Sequence, residues 1–451
     1  MQELMGPGEF GAFLDSYKKP PVRGIRLNRL KARGGLAAEA LALAGGHAPV
    51  PWCPDGYSFT GGARPALSPL YHAGLFYLQE PSAMCPAEAL APGPRDRVLD
   101  LCAAPGGKTA QLAGHMRGGG LLVANDSSAA RCRGLVRNVE LAGAANVVVL
   151  AEEPRRLAAA FPDFFDRILV DAPCSGEGMF RKSREAARAY AANKPEKCAA
   201  VQSGLLRLAA RMLRPGGVMA YSTCTFNPVE NERVVAGFLR ERVDFGMAEI
   251  SLAGTSPGRE EWAGARAPGL SRGAARIWPH EADAEGHFVA LLAKAGAAGG
   301  RPAARGGPPM FPEEFRGFAA ANLDAAAAGI WAQRRLEAFG GRLYLVPESL
   351  GPGALRGLRV ARGGLFLGEA KKGRFEPSHA LALALAPGMA ALSAELTAAD
   401  AQRYLKGESL PAENAAGKPW ALVCHRGLAL GWARAVGGRL KNCLPRNWAL
   451  P

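Results

Sequence analysis

No run of about 20 apolar residues occurs in this chain, so no part of it reads as a membrane span. Met1-Gln2-Glu3-Leu4 lacks the basic and apolar regions of a secretory leader. The nine cysteines form no C-x-x-C pair, which argues against a zinc ribbon and for reduced thiols in a cytoplasmic protein. No internal repeat is visible, so a solenoid is excluded.

What is present fits a soluble globular chain, with 48% hydrophobic and 21% charged residues. At 451 residues it exceeds one ordinary core, and two to four domains are expected. Lys and Arg outnumber Asp and Glu 55 to 40, a formal charge of +15. Such a surplus favours a polyanionic partner, with nucleic acid the first candidate. It is uneven: from Gly300 onward the basic residues number 20 and the acidic ones 11.

Residues 1–70 read as a small N-terminal α/β domain. It has a helical pattern at Phe10 to Tyr17, an alternating strand at Gly24 to Leu30, and a turn-rich stretch from Pro49 to Tyr57. That stretch reads either as an RNA-contacting surface or as a linker with a core Trp52. Residues 71–297 alternate strand and helix, the pattern of a parallel sheet. The strands are Arg97 to Leu101, Gly120 to Ala124, Asn146 to Leu150, the run ending at Asp171, Gly217 to Thr223, and Gly286 to Leu292. Residues 298–309, rich in Gly, Ala, Pro and Arg, read as a linker. Beyond it, 310–390 and 391–451 read as a compact, β-rich end, with strand patterns at Arg342 to Pro347 and Leu358 to Gly368 and with Ser378 as a helix cap. This end reads as a tail whose deletion should weaken RNA binding far more than cofactor binding.

The first strand runs into Cys102-Ala103-Ala104-Pro105-Gly106-Gly107-Lys108, a glycine-rich turn before a helix N-terminus. Gly107-Lys108-Thr109 hints at a nucleoside triphosphate, but the P-loop spacing would need Gly where Cys102 stands. The dinucleotide pattern G-x-G-x-x-G is also absent there. S-adenosylmethionine remains, with Asp126 beyond the second strand for its ribose hydroxyls.

Asp171-Ala172-Pro173-Cys174 and Thr223-Cys224 put a carboxylate and two thiols at the ends of different strands. Methyl transfer to oxygen or nitrogen needs no thiol. Transfer to C5 of a pyrimidine does, because that carbon becomes nucleophilic only when a thiolate adds to C6. An acid must hydrogen-bond the ring at N3 as charge develops there. This argument alone does not choose between Cys174 and Cys224 as the attacker.

Three segments, Asp100 to Thr109, Asp171 to Gly178, and Tyr221-Ser222-Thr223-Cys224-Thr225-Phe226-Asn227-Pro228-Val229-Glu230-Asn231-Glu232, resemble the motifs of the NOL1/NOP2/Sun family of RNA cytosine-C5 methyltransferases. The resemblance implies a Rossmann-like class I methyltransferase core. It implies that Cys224 attacks, Cys174 helps release the product and Asp171, at the edge of the cofactor site, contacts the base. It also implies that the 102–108 loop, Asp126 and an acid near Glu153 bind S-adenosylmethionine. No metal is expected. The flanks, including Gln79-Glu80-Pro81-Ser82-Ala83-Met84 and Lys371 to His379, resemble the branch acting on 16S ribosomal RNA, with a PUA-like RNA-binding domain at the C-terminus. The expected partner is therefore 16S rRNA or the small ribosomal subunit, with transfer RNA the near rival, and a monomer is expected. An RNA-binding assembly factor with a vestigial methyl-donor site is the reading from another class, opposed by the intact Asp171, Cys174 and Cys224.

Overall fold

A computed structural model of the chain describes residues 1–182, 190, 194–297, 311–327, 330, 334–339, 341–371, 373–412 and 419–450. The linker expected at 298–309 lies outside them.

The N-terminal sheet has four antiparallel strands, β1 (Arg23–Leu27), β2 (His47–Val50), β3 (Cys53–Phe59) and β4 (Phe76–Leu78), in the order β2-β3-β1-β4. The turn-rich stretch at 49–57 is thus mostly a hairpin. Trp52 at its turn is buried and donates from Nε1 to the Pro81 carbonyl at 2.9 Å, so it is a core residue.

The central sheet is built on five parallel strands: β5 (Arg97–Asp100), β6 (Leu121–Asn125), β7 (Val147–Leu150), β8 (Phe165–Asp171) and β9 (Leu213–Thr223). Their order in space is β9-β8-β5-β6-β7. Val147-Val148-Val149-Leu150 is buried on every residue, as a strand with helices on both faces must be. Two short strands, β10 (Phe245–Met247) and β12 (Ala274–Ile277), pair with β13 (His287–Lys294), which pairs antiparallel with β9, and β11 (Ser256–Pro257) lies outside β12. The result is a Rossmann-like mixed sheet, with its cleft at the C-terminal ends of β5, β8 and β9.

The strand expected from Leu358 to Gly368 is two strands. Its first part, β16 (Val360–Arg362), leaves the C-terminal region and pairs antiparallel with the edge strand β7. The buried Arg362 donates to the carbonyls of Val147 (2.6 Å) and Ala144 (3.0 Å). The chain then breaks at Gly364, where φ is 138° and a Cβ would lie 2.1 Å from the Leu345 carbonyl. It resumes as β17 (Leu365–Lys371) in a sheet ordered β14-β15-β17-β18, with β14 at Arg334–Phe339, β15 at Arg342–Pro347 and β18 at Arg374–Pro377. Ser378 caps the helix His379–Ala384, its Oγ accepting from the Leu381 amide at 3.0 Å.

The last sheet, β19 (Ser393–Glu395), β20 (Leu410–Pro411), β21 (Trp420–His425), β22 (Leu428–Val436) and β23 (Arg439–Asn442), shares a hydrophobic core with the N-terminal domain. Ile25 and Phe76 lie in one cluster with Tyr404 and Leu430, and Arg426 pairs with Glu39. The C-terminal region is therefore no detachable tail. Deleting residues after 309 would strip an edge strand from the central sheet and uncover the N-terminal core, so losses of cofactor and RNA binding would not separate. Among the described residues no helix is long and apolar enough to cross a membrane.

Candidate active site

Parallel pairing of β8 with β9 sets Asp171 opposite Ser222. Two residues beyond Ser222, Cys224 leaves the sheet on the same side, and Cys174 reaches it from the loop after β8. The two Sγ atoms are 3.3 Å apart, and both thiols are half-buried. The loops that carry them are cross-braced. The Glu230 carboxylate accepts from the Ser175 amide (2.9 Å) and from Gln202 Nε2 (3.0 Å), which also donates to the Pro173 carbonyl at 3.0 Å. Cys174 therefore hangs between two held neighbours. Glu177 Oε2 accepts from Thr225 Oγ1 (2.9 Å) and the Phe226 amide (3.0 Å), and the Gly178 amide donates to the Cys224 carbonyl at 2.9 Å. A hydrogen bond to Cys224, with burial, pushes the Cys174 thiol well above its ordinary range. Either thiol can be the donor in the contact between them.

Behind this brace, Arg276 grips Glu232 through Nε (2.7 Å) and Nη2 (2.6 Å) and donates to the Phe226 carbonyl at 3.1 Å. Both side chains are almost wholly buried. Arg276→Leu leaves the Glu232 charge uncompensated and should cost about 3–5 kcal/mol of stability, readable as a fall in denaturant midpoint.

Asp171 is the hub of the site. Its Oδ2 accepts from Lys108 Nζ at 2.8 Å and its Oδ1 from Ser222 Oγ at 2.8 Å, while His287 Nε2 stands 3.5 Å from Oδ1. Burial alone would raise the Asp171 carboxyl, but Lys108 and His287 outweigh it and hold the group well below the usual carboxylate range. Lys108 is likewise held above its ordinary value by Asp171, against the effect of burial. Its charge is thus committed to a carboxylate, which removes the phosphate role that Gly107-Lys108-Thr109 hinted at.

Two adjoining clefts meet at Asp171 and Cys224. One, of about 880 Å³, is lined by Glu80, Asp100, Cys102, Ala103, Ala104, Pro105, Gly107, Lys108, Lys182 and His287. The other, about 2100 Å³ and open to solvent, adds Asp126, Arg131, Glu153 and Cys174. Gly106 lies in neither lining; its φ is 108°, and a Cβ there would come within 3.0 Å of Leu135. Asp126 is buried, accepting from the Ser128 amide at 3.0 Å and pairing with Arg131 at 3.1 Å. Arg131 also donates to the Ala104 carbonyl at 2.7 Å and so spans the groove. Of the two glutamates after β7, Glu152 is buried against Arg359 and the exposed Glu153 faces the cleft.

Asp100, Glu80, His287 and Arg131 were assigned no role from the sequence. Asp100 is fully buried; Thr109 donates to its Oδ2 at 2.7 Å, and Oδ1 has no partner among the described residues. Burial pushes its carboxyl up to about 7. An orphaned buried carboxyl, with Asp126 and Glu153 across the groove, suits a ligand with positive charge and hydroxyls. S-adenosylmethionine, with its sulfonium, ammonium and ribose, fits this lining, and a nucleoside triphosphate does not.

Four family models match the chain in succession. The N-terminal domain of the 16S rRNA methyltransferase RsmF matches residues 1–81, and the 16S rRNA methyltransferase RsmB/F matches 87–293. The first C-terminal domain of the RsmF rRNA methyltransferase matches 318–385, and the methyltransferase RsmF PUA domain matches 391–450. The ribosomal RNA small subunit methyltransferase F of Erwinia tasmaniensis is 34% identical over 99% of this chain and 95% of its own length. That of Klebsiella pneumoniae is 36% identical over 97% of this chain and 92% of its own. The chain belongs to the RsmF family. Among solved structures, a methyltransferase homologue from Pyrococcus horikoshii is 28% identical, with a TM-score of 0.55 over 65% of this chain and 97% of that one. NSun6 from the same organism, solved with SFG, is 22% identical with a TM-score of 0.54 over 66% and 97% of the two chains, a likeness of fold. The RsmF family match runs through both flanking regions, so it covers the PUA domain as well as the catalytic core.

Proposed function

We propose that this chain transfers a methyl group from S-adenosylmethionine to C5 of cytosine in the 16S RNA of the small ribosomal subunit. The observation that carries the reading is the thiol pair, 3.3 Å apart, beside the ionised Asp171. A methyltransferase acting on oxygen or nitrogen has no use for it. The family match over both flanks favours ribosomal RNA as substrate over transfer RNA.

The target base is extruded from its stack into the cleft between Asp171 and Cys224. Asp171 binds its polar edge. Cys224 adds through sulfur to C6, and the C5–C6 π electrons become available at C5. S-adenosylmethionine, held by the 102–108 loop, Asp126 and Glu153, supplies the electrophilic methyl group. The C5 proton is then removed, its electrons re-form the C5–C6 double bond, and Cys224 leaves as thiolate. Cys174 suits that last stage. The largest cause of its raised pKa is the bond to Cys224, which changes once Cys224 is a thioether. With its own proton passed to solvent through the open cleft, the Cys174 thiolate can then accept the one on C5.

Asp100 predicts a pH dependence. Below about pH 7 its buried carboxyl is protonated, and a cationic ligand favours the ionised form. Affinity for S-adenosylmethionine should therefore rise with pH, by at most about tenfold per unit below 7, and level off above it. Calorimetric titration of the wild type from pH 5.5 upward, with Asp100→Asn as the flat control, checks this.

The test of function uses the purified chain with methyl-labelled S-adenosylmethionine, small ribosomal subunits or 16S RNA, and bulk transfer RNA. Digestion to nucleosides should yield labelled 5-methylcytidine from the ribosomal RNA alone. Label in N4-methylcytidine, or chiefly in transfer RNA, would overturn the proposal.

A further inference from the structure

His287 opens β13, and antiparallel pairing sets Phe288 opposite Thr223, so His287 stands beside Cys224 on the side that carries Asp171 and Ser222. The imidazole is 97% buried and lines the same cleft as Asp171, Lys108 and Cys224. Its Nε2 is 3.5 Å from Asp171 Oδ1, at the outer limit of a hydrogen bond, and apart from that long contact has no hydrogen-bond partner among the described residues. A buried ring nitrogen without a partner is costly unless a ligand satisfies it.

The position of His287 is firmly held. The Glu285 amide donates to Glu80 Oε1 at 2.8 Å and the Gly286 amide to Ser82 Oγ at 3.2 Å. Gly286 has φ 142°, and a Cβ there would come 2.2 Å from the Phe226 ring, so the strand can begin this close to the Cys224 loop only with glycine. Lys108, Asp171 and Glu80 are the charged groups facing the ring. Burial lowers the imidazole pKa against the pull of Asp171 and so favours the neutral ring, which has one N–H to donate.

We propose that His287 is a specificity-determining residue, whose Nε2–H donates to N3 of the target cytosine while Asp171 accepts from the neighbouring 4-amino group. The inference rests on the cytosine-C5 reading above. Cytosine shows an amino donor next to the N3 acceptor; uracil shows the reverse, an O4 acceptor next to an N3–H donor. A carboxylate alone would take the N3–H of uracil. A carboxylate oxygen beside an N–H donor matches cytosine at both positions and opposes uracil at both. The same N–H lies where charge accumulates when Cys224 adds to C6, so it stabilises the adduct more than the bound base.

The test compares His287→Phe, which keeps a ring and loses the donor, with His287→Gln, which keeps an N–H. The readouts are single-turnover methylation of small ribosomal subunits, S-adenosylmethionine affinity and the nucleosides formed. The phenylalanine variant should lose about ten- to a hundredfold in rate with cofactor affinity within about twofold, and glutamine should recover most of the loss. Wild-type rate in the phenylalanine variant, equal losses in the two variants, or a matching loss of cofactor affinity would overturn the role. Failure of the underlying reading is distinguishable, because the unmutated chain would then make no 5-methylcytidine.

Discussion

Cys224→Ala should abolish methyl transfer, by at least about 10⁴-fold, while cofactor and RNA binding persist. Without the thiolate, C5 of cytosine has no route to becoming a nucleophile, and a loss of that size is about 5.5 kcal/mol of barrier. Fold damage is not the cause expected. Cys224 is half-buried, its loop is held by Glu177, Asn231 and Gly178, and its thiol makes one contact of note, with Cys174. Single-turnover assays with labelled cofactor, beside filter binding of RNA, separate the two effects. Retained turnover would remove Cys224 from the role of attacker.

Cys174→Ala should behave in the opposite way. Attack and methylation proceed, but the C5 proton and the Cys224–C6 bond are lost slowly, so a covalent protein–RNA adduct should accumulate. On a denaturing gel it appears as a slow band carrying both protein and methyl label, absent from the double variant with Cys224→Ala. The asymmetry follows from position: Cys174 lies against Cys224, and the bond between them, with burial, raises the Cys174 thiol. If no adduct formed and turnover simply stopped, Cys174 would be needed for attack instead.

The parts of the site that follow parallel strands were legible in the sequence. β5, β8 and β9 each carry a short apolar run that ends in polar residues, and a parallel sheet brings such ends together, so the 102–108 loop, Asp171, Cys174 and Cys224 could be gathered from the pattern. Which thiol attacks was not legible in spacing, because both cysteines follow strands of the same kind. The residues that were missed depend on partners distant in the chain. His287 enters the cleft only through its antiparallel register with β9, which no local pattern encodes. Lys108 was placed in the cofactor loop from the sequence, but its pairing with Asp171, 63 residues on, was not legible there. β16 is three residues long and pairs with a strand more than 200 residues earlier, so the central sheet's outer edge was invisible. Trp52 had two readings on sequence, and burial decides for the core. Asp100 is a fixed part of the strand-one motif, yet its orphaned oxygen appears only when the cleft is assembled.

The most direct test of the central claim is bisulfite sequencing of ribosomal and transfer RNA from a strain lacking this gene, with and without a plasmid copy. Loss of non-converted cytosine in 16S RNA, restored by the wild-type copy and not by Cys224→Ala, is the result predicted. Unchanged 16S RNA, or loss confined to transfer RNA, would contradict it.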